Sequence, residues 1–455
     1  MTESCDRVWR IVALSVITLA GACAPRDTQL AASGDTLAIW LPTVVQNVRV
    51  FDGTDVIPRA TVVLNEGRVA QIALPGEAVV VPDGAVIEEG AGKTLLPGLL
   101  DAHTHTFSRN FLKTATAFGV MTHLDMFTDL EFLSVTNEEE RSGRSADRPD
   151  LFSAGILVTT AGGHGTQYEV PIPTLDDVAE AQEFVDARLA EGSDYIKIVL
   201  EDGSAFGLSS PTLDRARLEA AIDAAHARGV LAVVHVGSYA HARMAIEAGA
   251  DGLVHISADE APDADFGRWA AQRGVFVVPT LTVMEGTEGA GPAGASLVAD
   301  PVIGPRLGVG MEQNLLVEFP TRDGMKIEMS HAFEAIRLLH EAGVPVLVGS
   351  DAPNPGTGLG PSVHREMELL VDNAGFSPIE ALRAATSVTA TAFKLEDWRG
   401  RIIEGGRADV FLVDGDPTID ILDTRNIDAI WKEGRRWKLE LYIETIVARR
   451  AEAGN

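Results

Sequence analysis

Pro97-Gly98-Leu99-Leu100-Asp101-Ala102-His103-Thr104-His105 is an apolar run that closes on two histidines one residue apart. Leu95 and Leu96 extend it backwards, so 95–100 reads as a buried strand. Side chains at i and i+2 of a strand face the same side, so His103 and His105 can hold one metal ion together. Taken alone, the pair reads equally as two surface histidines in a turn. Beyond it, apolar runs alternate with helical patterns, which implies parallel strands joined by crossovers.

Eight strand candidates follow this rhythm: 95–100, 119–124, 152–158, 195–200, 231–236, 252–255, 275–279 and 344–349. Helical stretches between them include 174–189, 211–228, 239–248 and 325–342. Pro173-Thr174 and Ser210-Pro211 supply start signals, and Gly229, Gly249 and Gly343 supply stops. Eight such units fit an α/β fold of the (β/α)8, or TIM barrel, kind. A doubly wound open sheet is the alternative, although no phosphate-binding glycine fingerprint follows the first strand. The glycine- and proline-rich stretch 285–322 breaks the rhythm after a strand, which places it over the mouth as an irregular lid or wall.

Ahead of these units, 39–94 carries short β runs such as Val48-Arg49-Val50-Phe51 and Thr61-Val62-Val63-Leu64. Asn65-Glu66-Gly67-Arg68 is a hairpin turn between two of them. After a helix over 378–393, β runs return at 409–414 and 427–431. The expectation is a barrel over 95–399 and a small discontinuous β-sandwich domain built from 39–94 and 400–440.

The chain is 455 residues long, 46% hydrophobic and 23% charged, which excludes a disordered protein. Lys+Arg is 37 and Asp+Glu is 66, so the net charge is 37 − 66 = −29, and such a surface repels phosphate backbones. No nucleic-acid partner is expected. Two cysteines, Cys5 and Cys23, exclude a disulfide scaffold and a cysteine-rich zinc module. Any metal site must use nitrogen and oxygen ligands.

Arg7 and Arg10 precede an apolar run too short to span a bilayer, the pattern of an export signal over 1–22. Leu19-Ala20-Gly21-Ala22-Cys23 resembles a bacterial lipoprotein cleavage box, with Ala20 where a larger aliphatic residue is usual. Cys23 would then be lipidated, opening a linker over 23–38 and tethering an envelope protein. Ordinary cleavage after Ala22 or Ala24, giving a periplasmic or secreted protein, is the alternative. Glu3, Asp6, Arg7 and Arg10 sum to zero, so either cleavage leaves −29.

Ligand-type residues recur at the ends of the other strand candidates. Lys197 lies in the fourth, His235 ends the fifth, His255 ends the sixth and Asp351 follows the eighth. Each alone could be a satisfied core histidine, a capping aspartate or a snorkelling lysine. All at one rim of one barrel, they read as one site. A lysine buried beside cations is held neutral, and a neutral amine can add CO2 to become a carbamate able to bridge two metals. An uncarboxylated Lys197 paired with an acid is the alternative.

On these motifs the chain resembles the amidohydrolase superfamily. Asn47-Val48-Arg49-Val50-Phe51-Asp52-Gly53 is similar to its opening β segment, and Gly405-Gly406-Arg407-Ala408-Asp409-Val410 with Asp414-Gly415-Asp416-Pro417 to its closing one. Glu380-Ala381-Leu382-Arg383-Ala384-Ala385-Thr386 resembles its last helix. The strand-four lysine is most similar to the imidazolonepropionase-related branch with its prolidase-like dipeptidases. The resemblance implies two divalent ions, zinc first, with manganese or cobalt as alternatives. His103, His105 and Asp351 would hold one, His235 and His255 the other, and carboxylated Lys197 would bridge. A shared hydroxide would attack an amide carbonyl, with Asp351 moving its proton to the leaving group.

Around this core, His164 in Ala161-Gly162-Gly163-His164-Gly165 is a candidate for substrate or oxyanion contact, and Tyr239 for a substrate carboxylate. His123 is a weaker candidate, and His364 has no assignment. His226, His241, His331 and His340 fall in helical patterns and are expected outside the site. The expected substrate is a small amide, such as a dipeptide or an N-acyl amino acid. Alternatives are a mononuclear imidazolonepropionase-like hydrolase or deaminase, an esterase or lactonase on the same site, and a non-catalytic envelope binding protein. The last would show a damaged ligand set, and none of the six positions is missing. Apolar segments such as 315–319 suit a lid or a homo-oligomer interface.

Overall fold

The computed structural model describes residues 38–168 and 172–453. The expected export signal, most of the expected linker and Cys23 lie outside the described residues. Among the described residues, no helix is long and apolar enough to cross a membrane.

The strands in chain order are β1 Ala38–Trp40, β2 Thr43–Phe51, β3 Val56–Asn65, β4 Arg68–Ala73, β5 Val86–Glu89, β6 Lys93–Pro97, β7 Leu99–Thr104 and β8 Val120–Asp125. They continue as β9 Asp150–Ser153, β10 Ile196–Leu200, β11 Ala232–Val236, β12 Gly252–Val254, β13 Phe276–Val278, β14 Val410–Asp414, β15 Ile427–Lys432 and β16 Arg435–Trp437. The expected hairpin forms: Glu66 and Gly67 take φ 50° and 78°, the two left-handed positions of a tight turn matched to strand twist.

Nine strands form one sheet ordered β1-β16-β15-β14-β6-β2-β3-β4, with β5 beside β2. Sequence from both ends of the described chain therefore meets in one sheet. Val45, Val48, Val62, Leu64, Leu95, Val410, Leu412 and Trp431 make its core. Such a core joins chain ends more than 300 residues apart in sequence, as β1 pairing with β16 shows (Ala38 opposite Trp437).

The remaining strands are parallel, in the orders β7-β8-β9 and β10-β11-β12-β13. Their runs are buried on both faces, which is why they read as continuous apolar stretches. Backbone bridges continue the series. Val158 pairs with Ile198, Val277 with Val346, and Thr104 with Ala352. Ala102 N–H also donates to Val348 O at 2.8 Å.

Several expected boundaries shift. The run 95–100 is not one strand: Lys93–Pro97 pairs antiparallel with β14, and Leu99–Thr104 starts the parallel series. Gly98 is the crossing point, where a Cβ would collide with Met121. The third strand is Asp150–Ser153, and 344–349 contributes bridges, not a named strand. The stretch 285–322, expected to be irregular, holds short helices Ala295–Ala299 and Val309–Leu315. The expected helix 378–393 breaks at Thr386 into Pro378–Ala384 and Ser387–Ala392.

Candidate metal centre

His103 is fully buried within β7 and His105 lies just past its end, on the same face. Their Nε2 atoms are 3.3 Å apart, and each is 3.1 Å from Oδ1 of Asp351. Ligands about 2.0–2.2 Å from one ion stand roughly 3–4 Å apart over the angles of four- and five-coordinate sites, so these spacings suit a small divalent cation. Asp351 Oδ1 is buried and has no hydrogen-bond donor. A carboxylate oxygen turned toward two imidazole nitrogens, with nothing donating to it, fits a cation ligand.

Backbone and neighbours aim these groups. His105 Nδ1 lies 3.3 Å from Phe127 O, which can only accept, so Nε2 keeps its lone pair. Asp351 N–H donates to His103 O at 2.8 Å. Asp101, buried in β7, accepts from His103 N–H at 3.2 Å, Ser350 N–H at 2.9 Å and Ser350 Oγ at 2.5 Å, pinning the 349–351 turn to β7. Gly349 must be glycine there, since a Cβ would sit 2.9 Å from His103 N. Asp351 itself holds φ 53°, a left-handed conformation costly for a residue with a Cβ.

The other expected ligands adjoin this trio. The His255 ring centre is 4.9 Å from that of His103 and 4.5 Å from that of His235. His255 Nδ1 meets Thr280 Oγ1 at 2.7 Å and stands 4.0 Å from Asp351 Oδ2. Lys197, the second residue of β10, is buried. Burial, joined by the Lys197 charge, holds His103, His235 and His255 well below the usual imidazole range. Neutral imidazoles are the form that ligates metal. Burial likewise pushes Lys197 down to about 7, against the pull of Asp351 and Asp125.

His164 joins the cluster, its ring centre 4.9 Å from that of His235 and its pKa lowered by burial to about 3. Among the described residues, Tyr239 makes its contacts elsewhere. Its hydroxyl donates to Asp263 Oδ2 at 3.2 Å and accepts from Asp263 N–H at 3.0 Å, and its ring packs on Phe266. His123 is a buried residue of β8, with Nδ1 3.3 Å from Thr106 Oγ1. His241, expected outside the site, is buried, with Nε2 3.8 Å from Asp202. Its helix, Tyr239–Glu247, starts directly after β11 with Ser238 as cap, which turns this first-turn residue inward.

Glu201 and Thr280 were not singled out from sequence, yet both border the ligands. Glu201 follows the last residue of β10, and its Oε2 is 3.7 Å from His235 Nε2. The signal available for it was its position four residues beyond Lys197 on the same strand face. The cavity of about 500 Å³ lined by Trp40, Arg68, Trp398 and Arg407 lies on the nine-stranded sheet and includes none of these residues.

Residues 94–437 match the model of the amidohydrolase family. Ochratoxinase of Aspergillus niger is 22% identical over 394 residues, spanning 76% of this chain and 75% of that protein. Imidazolonepropionase of Anaeromyxobacter dehalogenans (strain 2CP-1) is 27% identical over 393 residues, spanning 78% of this chain and 84% of the relative. The crystal structure of a Xaa-Pro dipeptidase with methionine bound in its active site superposes with a TM-score of 0.67 at 22% identity. It covers 87% of this chain and 99% of that one. With two histidines and an aspartate gathered where parallel strands and bridges end, and with a family match over most of its length, this chain belongs to the amidohydrolase family.

Proposed function

We propose that this chain is a metal-dependent hydrolase of an amide-type C–N bond in a small molecule, a dipeptide or an N-acyl amino acid. The observation that carries the reading is the orphaned Asp351 Oδ1 facing His103 and His105, with His255, His235 and Lys197 adjoining. The bridges from Val158 to Ile198, Val277 to Val346 and Thr104 to Ala352 support closing the parallel strands into an eight-stranded barrel, the nine-stranded sheet folding beside it as a sandwich. His103, His105 and Asp351 would hold one ion, His235 and His255 would hold a second, and Lys197, its neutral amine carboxylated by CO2, would supply an anionic oxygen ligand to both. The nitrogen and oxygen set suits zinc.

When bound, such ions polarise a carbonyl and bring the pKa of coordinated water to about 7. The chain's own residues do the rest. Asp351 takes a proton from the attacking water and delivers it to the leaving nitrogen. His164, beside His235, contacts the substrate carbonyl. Relatives named imidazolonepropionase and ochratoxinase, and the dipeptidase structure, support an amide-type substrate. We place the protein outside the cytoplasm, anchored through lipidated Cys23.

One observation favours a mononuclear site: His103, His105 and Asp351 alone, among the described residues, bring three ligand atoms within 4.8 Å of one another. The deciding experiment is a hydrolysis panel of dipeptides, N-acyl amino acids, cyclic amides and esters, run on zinc-loaded protein. Expected is turnover of an open-chain amide that falls more than about 100-fold in His103→Ala, since even indirect disturbance of a metal ligand costs 10–100-fold. In Lys197→Ala it should be partly restored by added short carboxylic acids. Turnover of cyclic amides alone, undiminished in Lys197→Ala, would favour the mononuclear reading. No turnover of any member would remove the proposal.

A further inference from the structure

Glu201 carries the same signature as Asp351. It is one residue past the end of β10, its side chain 3% exposed. Lys197, Val199 and Glu201 alternate onto one face, so the carboxylate sits above the lysine on the site side of the strand. The backbone is fixed by Glu201 N–H donating to Thr212 Oγ1 at 2.9 Å. Oε1 accepts from Gly203 N–H. Oε2 is buried with no hydrogen-bond partner and lies 3.7 Å from His235 Nε2, too far for a hydrogen bond.

A carboxylate oxygen left in this state is costly unless something cationic meets it. The fold makes room for it. Gly237, two residues past His235, is the only residue type that fits, because a Cβ there would collide with the Glu201 carboxylate. Two donors bound to one ion at about 2.0–2.2 Å lie roughly 3–4 Å apart, and the 3.7 Å between Oε2 and Nε2 falls in that interval.

We propose that Glu201 is an additional oxygen ligand, through Oε2, for the ion held by His235. The inference rests on the metal-hydrolase reading only in requiring an ion at His235. The second ion then has a resident carboxylate besides the bridging carbamate, and Lys197 is not its only source of negative charge.

The test is cobalt(II) titration of the metal-free protein, read by equilibrium dialysis and visible absorption, for wild type, Glu201→Gln and Glu201→Asp. Expected are two equivalents in wild type. In Glu201→Gln one equivalent keeps its affinity while the other weakens at least about 10-fold and its visible band changes, and Glu201→Asp recovers part of the loss. Two equivalents with unchanged affinity and spectrum in Glu201→Gln overturn the proposal, as does one equivalent in both proteins. A crystal structure of cobalt-loaded wild type reads the claim without substitution, should Glu201→Gln fail to fold. An ion within about 2.3 Å of Oε2 supports it, and one beyond hydrogen-bond range overturns it. None of these readouts uses turnover. A failed hydrolysis panel with the cobalt effect intact would therefore remove the substrate reading and leave Glu201 assigned.

Discussion

Thr280 Oγ1 and His255 Nδ1 meet at 2.7 Å, and both residues hold left-handed backbone angles, φ 53° and 69°. Strain kept at two residues in contact, next to Asp351 at φ 53°, marks a place where geometry is held for chemistry. Thr280 fixes the orientation of the His255 ring, the proposed ligand of the second ion. Thr280→Ala should weaken metal binding about 10–100-fold in chelator competition, and Thr280→Ser should restore it. His364, which sequence left unassigned, has a structural role: Nε2 lies 2.9 Å from Phe118 O and Nδ1 2.8 Å from Thr424 Oγ1. Burial, helped by Arg425, lowers it from 6.5 to about 3. The unfolded chain therefore binds a proton that the folded chain does not between those values. This contribution is intact above pH 6.5 and is lost as pH falls toward 3. His364→Gln should flatten the pH dependence of urea-unfolding stability across that window. At this scale, His103, His105, His235, His255 and Asp351 were legible because each closes an apolar run. Glu201 and Thr280 were not, because a single acid or threonine after a strand usually caps or turns the chain.

Helix Leu281–Thr287 has no side-chain cap of its own, and a second helix supplies one. Glu366, buried on helix Pro361–Asn373, accepts from Leu281 N–H at 2.8 Å and from Thr282 N–H and Oγ1 at 2.7 Å each. Glu366→Ala strands two buried N–H groups beside Thr280. It should cost roughly 2–5 kcal/mol in denaturant unfolding and lower metal affinity with it. Elements were legible where periodicity and a stop signal coincide, as in Arg215–Ala227 ending before Gly229. They were hidden where one apolar run serves two sheets, as Lys93–Pro97 and Leu99–Thr104 do across Gly98. Closely spaced glycines and prolines likewise masked the five-residue helix Ala295–Ala299. The periodicity of a helix that short is no stronger than that of a loop.

Across the whole molecule, the nine-stranded sheet is tied to the parallel strands by buried charge. Asp150, which opens β9, meets Arg399, Arg407 and Lys432, and Lys432 Nζ is 3.0 Å from both Asp150 and Asp409. Burial alone would raise the Asp150 carboxyl, but Lys432, Arg407 and Arg399 outweigh it and hold it well below the usual carboxylate range. Asp150→Asn leaves these cations under-compensated and should cost about 3–5 kcal/mol, read as a lowered denaturant midpoint. That β runs from both ends of the chain belong together was legible from 39–94 and 409–431, whereas this ionic tie was not. Its members lie 282 residues apart, and sequence gives no sign that they meet. A net charge of −29 gives a carboxylate no general attraction, so a substrate of that kind would have to be recognised by the candidate metal centre and a few local donors. Metal dependence is read most directly by assaying open-chain amide hydrolysis while zinc is returned to chelator-treated protein. No turnover is expected without metal, followed by a rise that saturates at two equivalents. Turnover unchanged by removing metal would overturn the assignment of a metal-dependent hydrolase.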